Sequence, residues 1–392
     1  MPRDAMPATR NSRALDLLNF FIADVQTGFG PFVAVYLTTQ KWTQVEIGFV
    51  LSLGTVTALV SQIPAGALVD AARSKRRMVR RGLIGIIIAA LLLAVWPNRL
   101  PVALALVLQG VAGSILTPAI AAISLQLVGH AALGDRLGRN ARFASIGNGI
   151  TAAVMGASGA LLSSRSVFWL TAALCVPALF ALAAIGEAPA ARSDAARLDW
   201  RGLRSLLTDQ RLLIFAAAVL LFHLSNAAML PLAAAAVTMR AGDYANLIIA
   251  ACIMLPQGVV ALCSPWVGHT ADRVGRRPLL LLGWAALPVR GILLAVLPGA
   301  YPVIAAQSIS GISGAVFGVM LPLLAADLTR GTAHFTLCMG SLGLAVCVGA
   351  ALSTSIAGWI ADALGLTAAF YALAAAGLLG TVLLWRLMPE TS

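Results

Sequence analysis

The chain reads as an all-α membrane protein of twelve transmembrane helices arranged as two pseudo-repeated six-helix halves. Three observations predict this. Of 392 residues, 60% are hydrophobic and only 11% charged, whereas soluble domains carry roughly 25% charged residues. The apolar residues gather into runs of about 20, the length of helix that crosses a bilayer. Landmark residues of the first half also recur in the second at a nearly constant spacing. A chain with so few charges cannot cover a soluble surface. This excludes a soluble enzyme, a DNA-binding protein and a disordered chain.

The spans are expected at residues 14–38, 45–69, 80–96, 101–128, 142–163, 166–186, 211–238, 245–267, 278–298, 302–326, 335–360 and 364–387. The basic, polar stretch before the first span, and that span's length and polarity, mark it as permanent rather than as a signal-peptide core. Most links are short. The longer one, rich in Ala, Arg and Asp, includes a candidate surface helix near Trp200. It divides the chain into an N-terminal half (1–186), a cytoplasmic linker (187–210) and a C-terminal half (211–392). Of the 27 Lys and Arg, 22 fall on the side that holds both termini; Lys41, Arg99, Arg165 and Arg240 fall on the other, and Arg290 lies inside a span. Positive charge stays in the cytoplasm, so both termini are expected there, in a multi-pass protein of the cytoplasmic (inner) membrane. The net charge of +12 is thereby a topology signal, and no nucleic-acid partner is expected. Cys175, Cys252, Cys263, Cys338 and Cys347 all lie in apolar runs without a CxxC pair, and read as small packing residues.

The repeat is explicit. Phe20 and Phe222, Asp24 and Asn226, Gly66 and Gly268, and Asp70 and Asp272 are each 202 residues apart. Pro31 with Pro231 and Pro64 with Pro265 recur at nearly the same offset, and Gln109-xxx-Gly113 is echoed by Gln307-xxx-Gly311. Parallel duplicated halves with a site between them near the midplane form a transporter architecture.

The loop after span 8 reads Gly268-His-Thr-Ala-Asp272-Arg273-Val-Gly275-Arg276-Arg277. It is similar to the G-x-x-x-D-R-x-G-R-R loop of the major facilitator superfamily, and the resemblance extends to span count, orientation and repeat. The loop after span 2 keeps Gly66, Asp70, Arg73 and the basic cluster Lys75-Arg76-Arg77, but lacks the D-R-x-G core. The resemblance implies that these loops form a cytoplasmic gate: Asp70 facing the start of span 11 near His334, and Asp272 facing the start of span 5 near Arg142. A carboxylate there is stabilised by the positive end of a helix; the alternative is that each Asp caps its own turn. Asp327 and Arg330, at the end of span 10, form a further candidate latch. The chain departs from the superfamily's drug/proton antiporters in two places. Leu106 stands where span 4 would carry an arginine, and span 5 has Gly147, Gly149, Gly156 and Gly159 but no Gly-Pro pair.

Ionisable residues at membrane depth are costly and tend to be functional. Asp24 lies about ten residues into span 1, roughly 15 Å deep at 1.5 Å per residue. Gln26 and the Gly28-Phe-Gly30-Pro31 break follow it, and His223 and Asn226 stand at the duplicated place in span 7. The resemblance implies that spans 1 and 7 line a central cavity. Asp24 is therefore the proton-coupling candidate, with Gln26, His223 and Asn226 as substrate-cavity candidates. For Gln26 and Asn226 the other reading is bonding to carbonyls freed at the proline breaks; for His223 it is packing. Arg290 has two open roles, holding an anionic solute or holding carbonyls freed by Pro288; the resemblance implies that span 9 is peripheral. Gly311, Gly314 and Gly318 share one face of span 10 and suit close packing.

There is no nucleotide-binding loop, HExxH, CxxC or acidic metal cluster. No catalytic residue, metal or cofactor is expected. The expected function is secondary active transport of a small solute by alternating access, coupled to protons or another ion, with efflux of a small organic compound favoured. Proton-coupled uptake of a small solute, anionic or otherwise, is the alternative, and a membrane receptor or sensor without transport is the alternative of another class. The expected partners are the lipid bilayer, the solute and the coupling ion, with the protein a monomer.

Overall fold

The computed structural model describes residues 5–27, 30–186, 208–234, 245–297 and 299–390. Among them every regular element is a helix. In chain order these are α1 (Ala5–Thr27), α2 (Gly30–Thr39), α3 (Gln44–Ala71), α4 (Lys75–Val95), α5 (Arg99–Val128), α6 (Leu133–Leu161), α7 (Ser166–Ala184), α8 (Gln210–Asn226), α9 (Ala245–Val274), α10 (Arg276–Val296), α11 (Ala300–Leu328), α12 (Phe335–Leu364) and α13 (Leu366–Leu387). After α8 a turn at 227–228 separates it from a short helix over 229–234. Among the described residues, ten helical stretches are long and apolar enough to cross a membrane.

Among the described residues the expected first span holds α1 and α2, on either side of residues 28–29, which lie outside the described ones; the seventh holds α8 and the short helix over 229–234, and each of the other ten expected spans is matched by one helix. Two helices also begin well before the apolar run they contain. Helix α1 is already helical from Ala5 onward, ahead of 14, and α6 starts at Leu133 rather than 142. Hydropathy marks where a helix enters lipid, and the backbone hydrogen bonding continues beyond it. Residues Arg10 to Arg13 in α1 and Asp135 to Arg142 in α6 form such polar extensions. Of the linker, residues 187–207 lie outside the described ones.

Local signals set the ends. Thr43 and Glu46 form a reciprocal capping box at the start of α3: the Glu46 amide donates to Thr43 Oγ1 at 3.3 Å, and the Thr43 amide to Glu46 Oε2 at 3.0 Å. Such a pair satisfies two of the donors that a helix start leaves open. Gly275 (φ +95°) and Gly365 (φ +90°) are single-residue turns joining α9 to α10 and α12 to α13. A positive φ is tolerated there because glycine has no Cβ.

The helices form two compact units. One comprises Met1–Leu133, Phe143–Asp199 and Gly331–Gly340; the other comprises Gly134–Arg142, Trp200–Arg330 and Ser341–Ser392. In the first unit α5 packs on α3 and α4, α4 on α7, and α7 on α1. In the second α11 packs on α9 and α10, α10 on α13, and α13 on α8. The neighbour pattern is the same. The helix starts repeat too: Lys75 and Arg276, and Arg99 and Ala300, are 201 residues apart, and Leu133 and Phe335 are 202 apart.

Each unit has its own core. In the first, Tyr36 and Phe168 meet edge to face with centroids 5.0 Å apart, and the Tyr36 hydroxyl donates to the Leu93 carbonyl at 2.8 Å. In the second, Trp284 and Phe317 both pack on Phe222, and Trp284 Nε1 donates to the Ala218 carbonyl at 3.0 Å. Leu100, Leu161, Phe180 and Leu262 turn outward, as side chains bathed in lipid do. Lipid removes most of the hydrophobic drive between helices, so close packing of small residues holds them.

Candidate functional site

Helix α3 ends at Ala71, and its last carbonyls need donors. Lys75 supplies them, its Nζ donating to the carbonyls of Asp70 at 2.9 Å and Ala72 at 3.3 Å. The Asp70 carboxylate is left free to turn away from its own loop. It accepts from the Thr336 amide at 3.0 Å and the Leu337 amide at 2.7 Å, in the first turn of α12. The Thr336 hydroxyl donates to the Gly66 carbonyl at 2.7 Å. A Cβ on Gly66 would strike the Thr336 carbonyl, so glycine permits this approach. Arg73 is exposed beside it, and His334 lies two residues before Thr336.

The second unit repeats the arrangement with different chemistry. Asp272 approaches the start of α6, where a Cβ on Gly134 would lie 2.6 Å from Asp272 Oδ2. A Cβ on Gly268 would in turn meet the Gly134 carbonyl. Arg142 is exposed and sits eight residues further along α6. The contact is at Gly134 because α6 begins before the apolar run that Arg142 adjoins. Arg276 is buried and binds Asp327 through Nε at 3.0 Å, lies 3.4 Å from Asp272, and donates to the Ala271 carbonyl at 2.7 Å. Arg330 reaches the other Asp327 oxygen at 3.4 Å. Glu390 accepts from the amides of Arg276 at 2.7 Å and Arg277 at 3.3 Å, capping α10 after the Gly275 turn. Arg273 is exposed.

A third cluster lies inside the second unit. Arg290 on α10 is 2% exposed and Gln307 on α11 is 1% exposed. The guanidinium donates to the side-chain carbonyls of Gln307 and of Asn226, the last residue of α8. Among the described residues it makes no ion pair. The helix break that follows Asn226 is supported separately, the Ala228 amide donating to Ser353 Oγ at 3.0 Å. His223, one turn earlier, packs against Phe317 with centroids 4.8 Å apart, and its Nε2 is buried without a hydrogen-bond partner among the described residues. The structure thus brings Asn226 and Arg290 together and leaves His223 outside their hydrogen bonds. Asp24 and Gln26 are in α1, and their side chains lie outside the described ones.

Sequence reasoning did not find Thr336, Gly134 or Glu390. Gly134 carried no signal, because it lay ahead of the expected span. In the sequence Gln307 stands out only as a repeat landmark, although a glutamine in an apolar run needs a polar partner and Arg290 is the buried one.

Comparison with known proteins agrees with this architecture. The family profile described as Major Facilitator Superfamily matches residues 15–258 and 228–392. An uncharacterized MFS-type transporter of Mycobacterium tuberculosis is 36% identical over 97% of this chain and 94% of its own length. A tetracycline resistance protein, class C, of Escherichia coli is 32% identical over 33% of this chain and 32% of its own length. Among solved structures, the E. coli fucose:proton symporter superposes with a TM-score of 0.77 at 16% identity, covering 95% of this chain and 97% of that one. The human organic anion transporter gives 0.76 at 16% identity, covering 98% and 100%. With repeated six-helix units, helix-end carboxylates and a family match running through both halves, the chain is a multi-pass membrane protein of the Major Facilitator Superfamily, a family of transporters rather than enzymes.

Proposed function

We propose that this protein is a proton-coupled secondary transporter that exports a small organic compound across the cytoplasmic membrane by alternating access. In this reading 1–186 and 211–392 are its two halves, and the Arg-rich helix ends and both termini face the cytoplasm. The observation that carries it is the carboxylate at the end of α3 bonded to two amides at the start of α12, with Asp272 placed against the start of α6. Contacts of a few polar groups at helix ends can be made and broken as a unit, which alternating access requires. They form the gate in this reading, with Gly66, Arg73, Gly268, Arg273, Gly275, Arg276, Arg277 and Arg142 as its surroundings. Asp24 carries the coupling proton: a carboxylate at mid-depth loses hydration when charged, and it crosses between states at less cost when neutral. Export is favoured by the relationship to a tetracycline resistance protein.

A ligand-stabilisation screen beginning with tetracycline identifies a probe, since binding to the folded state raises its melting temperature. Flux of that probe into proteoliposomes under an imposed pH gradient then tests coupling. Asp24→Asn, which mimics the neutral acid, is expected to bind and exchange the probe without concentrating it. Accumulation by the variant equal to that of the parent overturns the assignment, and binding without any flux in the parent marks a receptor. Uptake of an anionic solute is the second reading, supported by the guanidinium of Arg290, which has no carboxylate partner among the described residues.

A further inference from the structure

The loop after α3 and the start of α4 carry six basic residues, Arg73, Lys75, Arg76, Arg77, Arg80 and Arg81. Topology accounts for their side of the membrane. The fold does not account for their number. Helix α10 is also 21 residues long and makes the equivalent contacts in the second unit. At the positions 201 residues from Arg77, Arg80 and Arg81 it has Pro278, Leu281 and Leu282. The second unit also pairs two of its arginines internally, Arg276 with Asp272 and Asp327, and Arg330 with Asp327. In the first unit, Arg77 and Arg80 are exposed and make no ion pair among the described residues.

These two arginines crown a cavity. Between α4 and α7 lies a groove of about 340 Å³ lined by Ser74, Arg76, Arg77, Arg80, Ile84, Leu179, Leu182 and Ala183. Arg76 closes its inner wall by donating to the Ala183 carbonyl at 3.3 Å, tying α4 to the end of α7. Below the guanidinium groups the walls are aliphatic, and Ile84 faces outward at 44% exposure. Cationic rim and apolar floor succeed one another along the membrane normal, as phosphate and acyl chain do in a phospholipid. On the other face of α7, Arg10 and Arg13 stand over a second groove with Leu17, Phe21 and Phe180 beneath.

We infer that the α4–α7 groove is a binding site for an anionic phospholipid, whose headgroup phosphate is held by Arg77 and Arg80 while an acyl chain lies along Ile84, Leu179 and Leu182. Basic pockets between transmembrane helices at the cytoplasmic surface suit such headgroups, and a guanidinium offers a phosphate two parallel N–H donors. The inference is independent of which solute is moved or in which direction.

The test is native mass spectrometry of the full-length protein in detergent, titrated with phosphatidylglycerol or phosphatidylcholine. The parent is expected to retain phosphatidylglycerol preferentially. Arg77→Gln/Arg80→Gln should lower its affinity about thirtyfold, equivalent to ~2 kcal/mol for two arginine–lipid contacts, with an unchanged melting temperature in lipid-free detergent. A second variant, Ile84→Glu, keeps both arginines but sets a carboxylate in the groove, and should lose the same preference. The charge-matched control Arg211→Gln/Arg386→Gln should keep it. Equal phosphatidylglycerol retention by parent and Arg77→Gln/Arg80→Gln, or an equal loss in the control, overturns the site. Displacement of the lipid by millimolar inorganic phosphate also overturns it, because the groove would then be an ion site without an acyl component.

Discussion

Replacing Asp70 by asparagine removes one charge and changes one acceptor into a donor. The carboxylate accepts from the Thr336 amide at 3.0 Å and the Leu337 amide at 2.7 Å. Asparagine can keep one of these through Oδ1 but turns its NH2 toward the other, which is also a donor. A hydrogen bond to a charged group contributes about 1.5–3 kcal/mol, and a charge at a helix start adds 0.3–1 kcal/mol at an exposed site. The local loss is therefore about 3 kcal/mol, a shift of roughly a hundredfold in the open fraction. First-turn amides have no acceptor within their own helix, so the protection of Thr336 and Leu337 reports this contact directly. Hydrogen exchange followed by mass spectrometry on peptides covering 332–342 should show about a hundredfold faster exchange at these amides, with peptides from the α4–α5 core unchanged. Exchange in Asp70→Asn that matches the parent would refute the reasoning, because the carboxylate would then not hold the start of α12.

Three further outcomes follow from the same geometry. Gln307→Leu removes an acceptor from a buried guanidinium and should cost about 2 kcal/mol, read by chemical denaturation in micelles; an unchanged midpoint would mean that Arg290 does not depend on Gln307. Gly66→Ala should lower the melting temperature, because its Cβ meets the Thr336 carbonyl, whereas Gly113→Ala, which meets nothing within 4 Å, should leave it unchanged or slightly higher. In a background without native cysteines, Lys41→Cys should react with an impermeant thiol reagent added outside intact cells and Ala333→Cys should not; the reverse pattern would invert the orientation.

Much of the fold was legible because lipid imposes a simple code. Apolar runs gave the number and order of the spans, and the turns after α9 and α12 fell at glycines that positive φ demands. Helix starts were less legible. The polar residues ahead of 14 and 142 carry no hydropathy signal, yet the backbone ladder runs through them. At the candidate gate, Asp70 and Gly66 stood out because they recur 202 residues on, while Gly134 and Thr336 are ordinary residues whose importance is purely positional. The partners of Arg290, though both are polar residues in apolar runs, could not be assigned to it for another reason. They come from α8 and α11, 64 and 17 residues away, and only packing within the second unit brings them to one guanidinium.

The position 201 residues before Arg290 is Ala89, which is also fully buried, at 0% exposure. The same slot in the same packing pattern holds a methyl group in one copy and an ionised side chain in the other. The repeat thus tolerates a costly charge in one copy beside an inert interior in the other. Such divergence is possible because each copy closes its own core, so a change of character in one imposes no matching change on the other. Variants that exchange the two residues, Ala89→Arg or Arg290→Ala, would measure how far the copies have specialised.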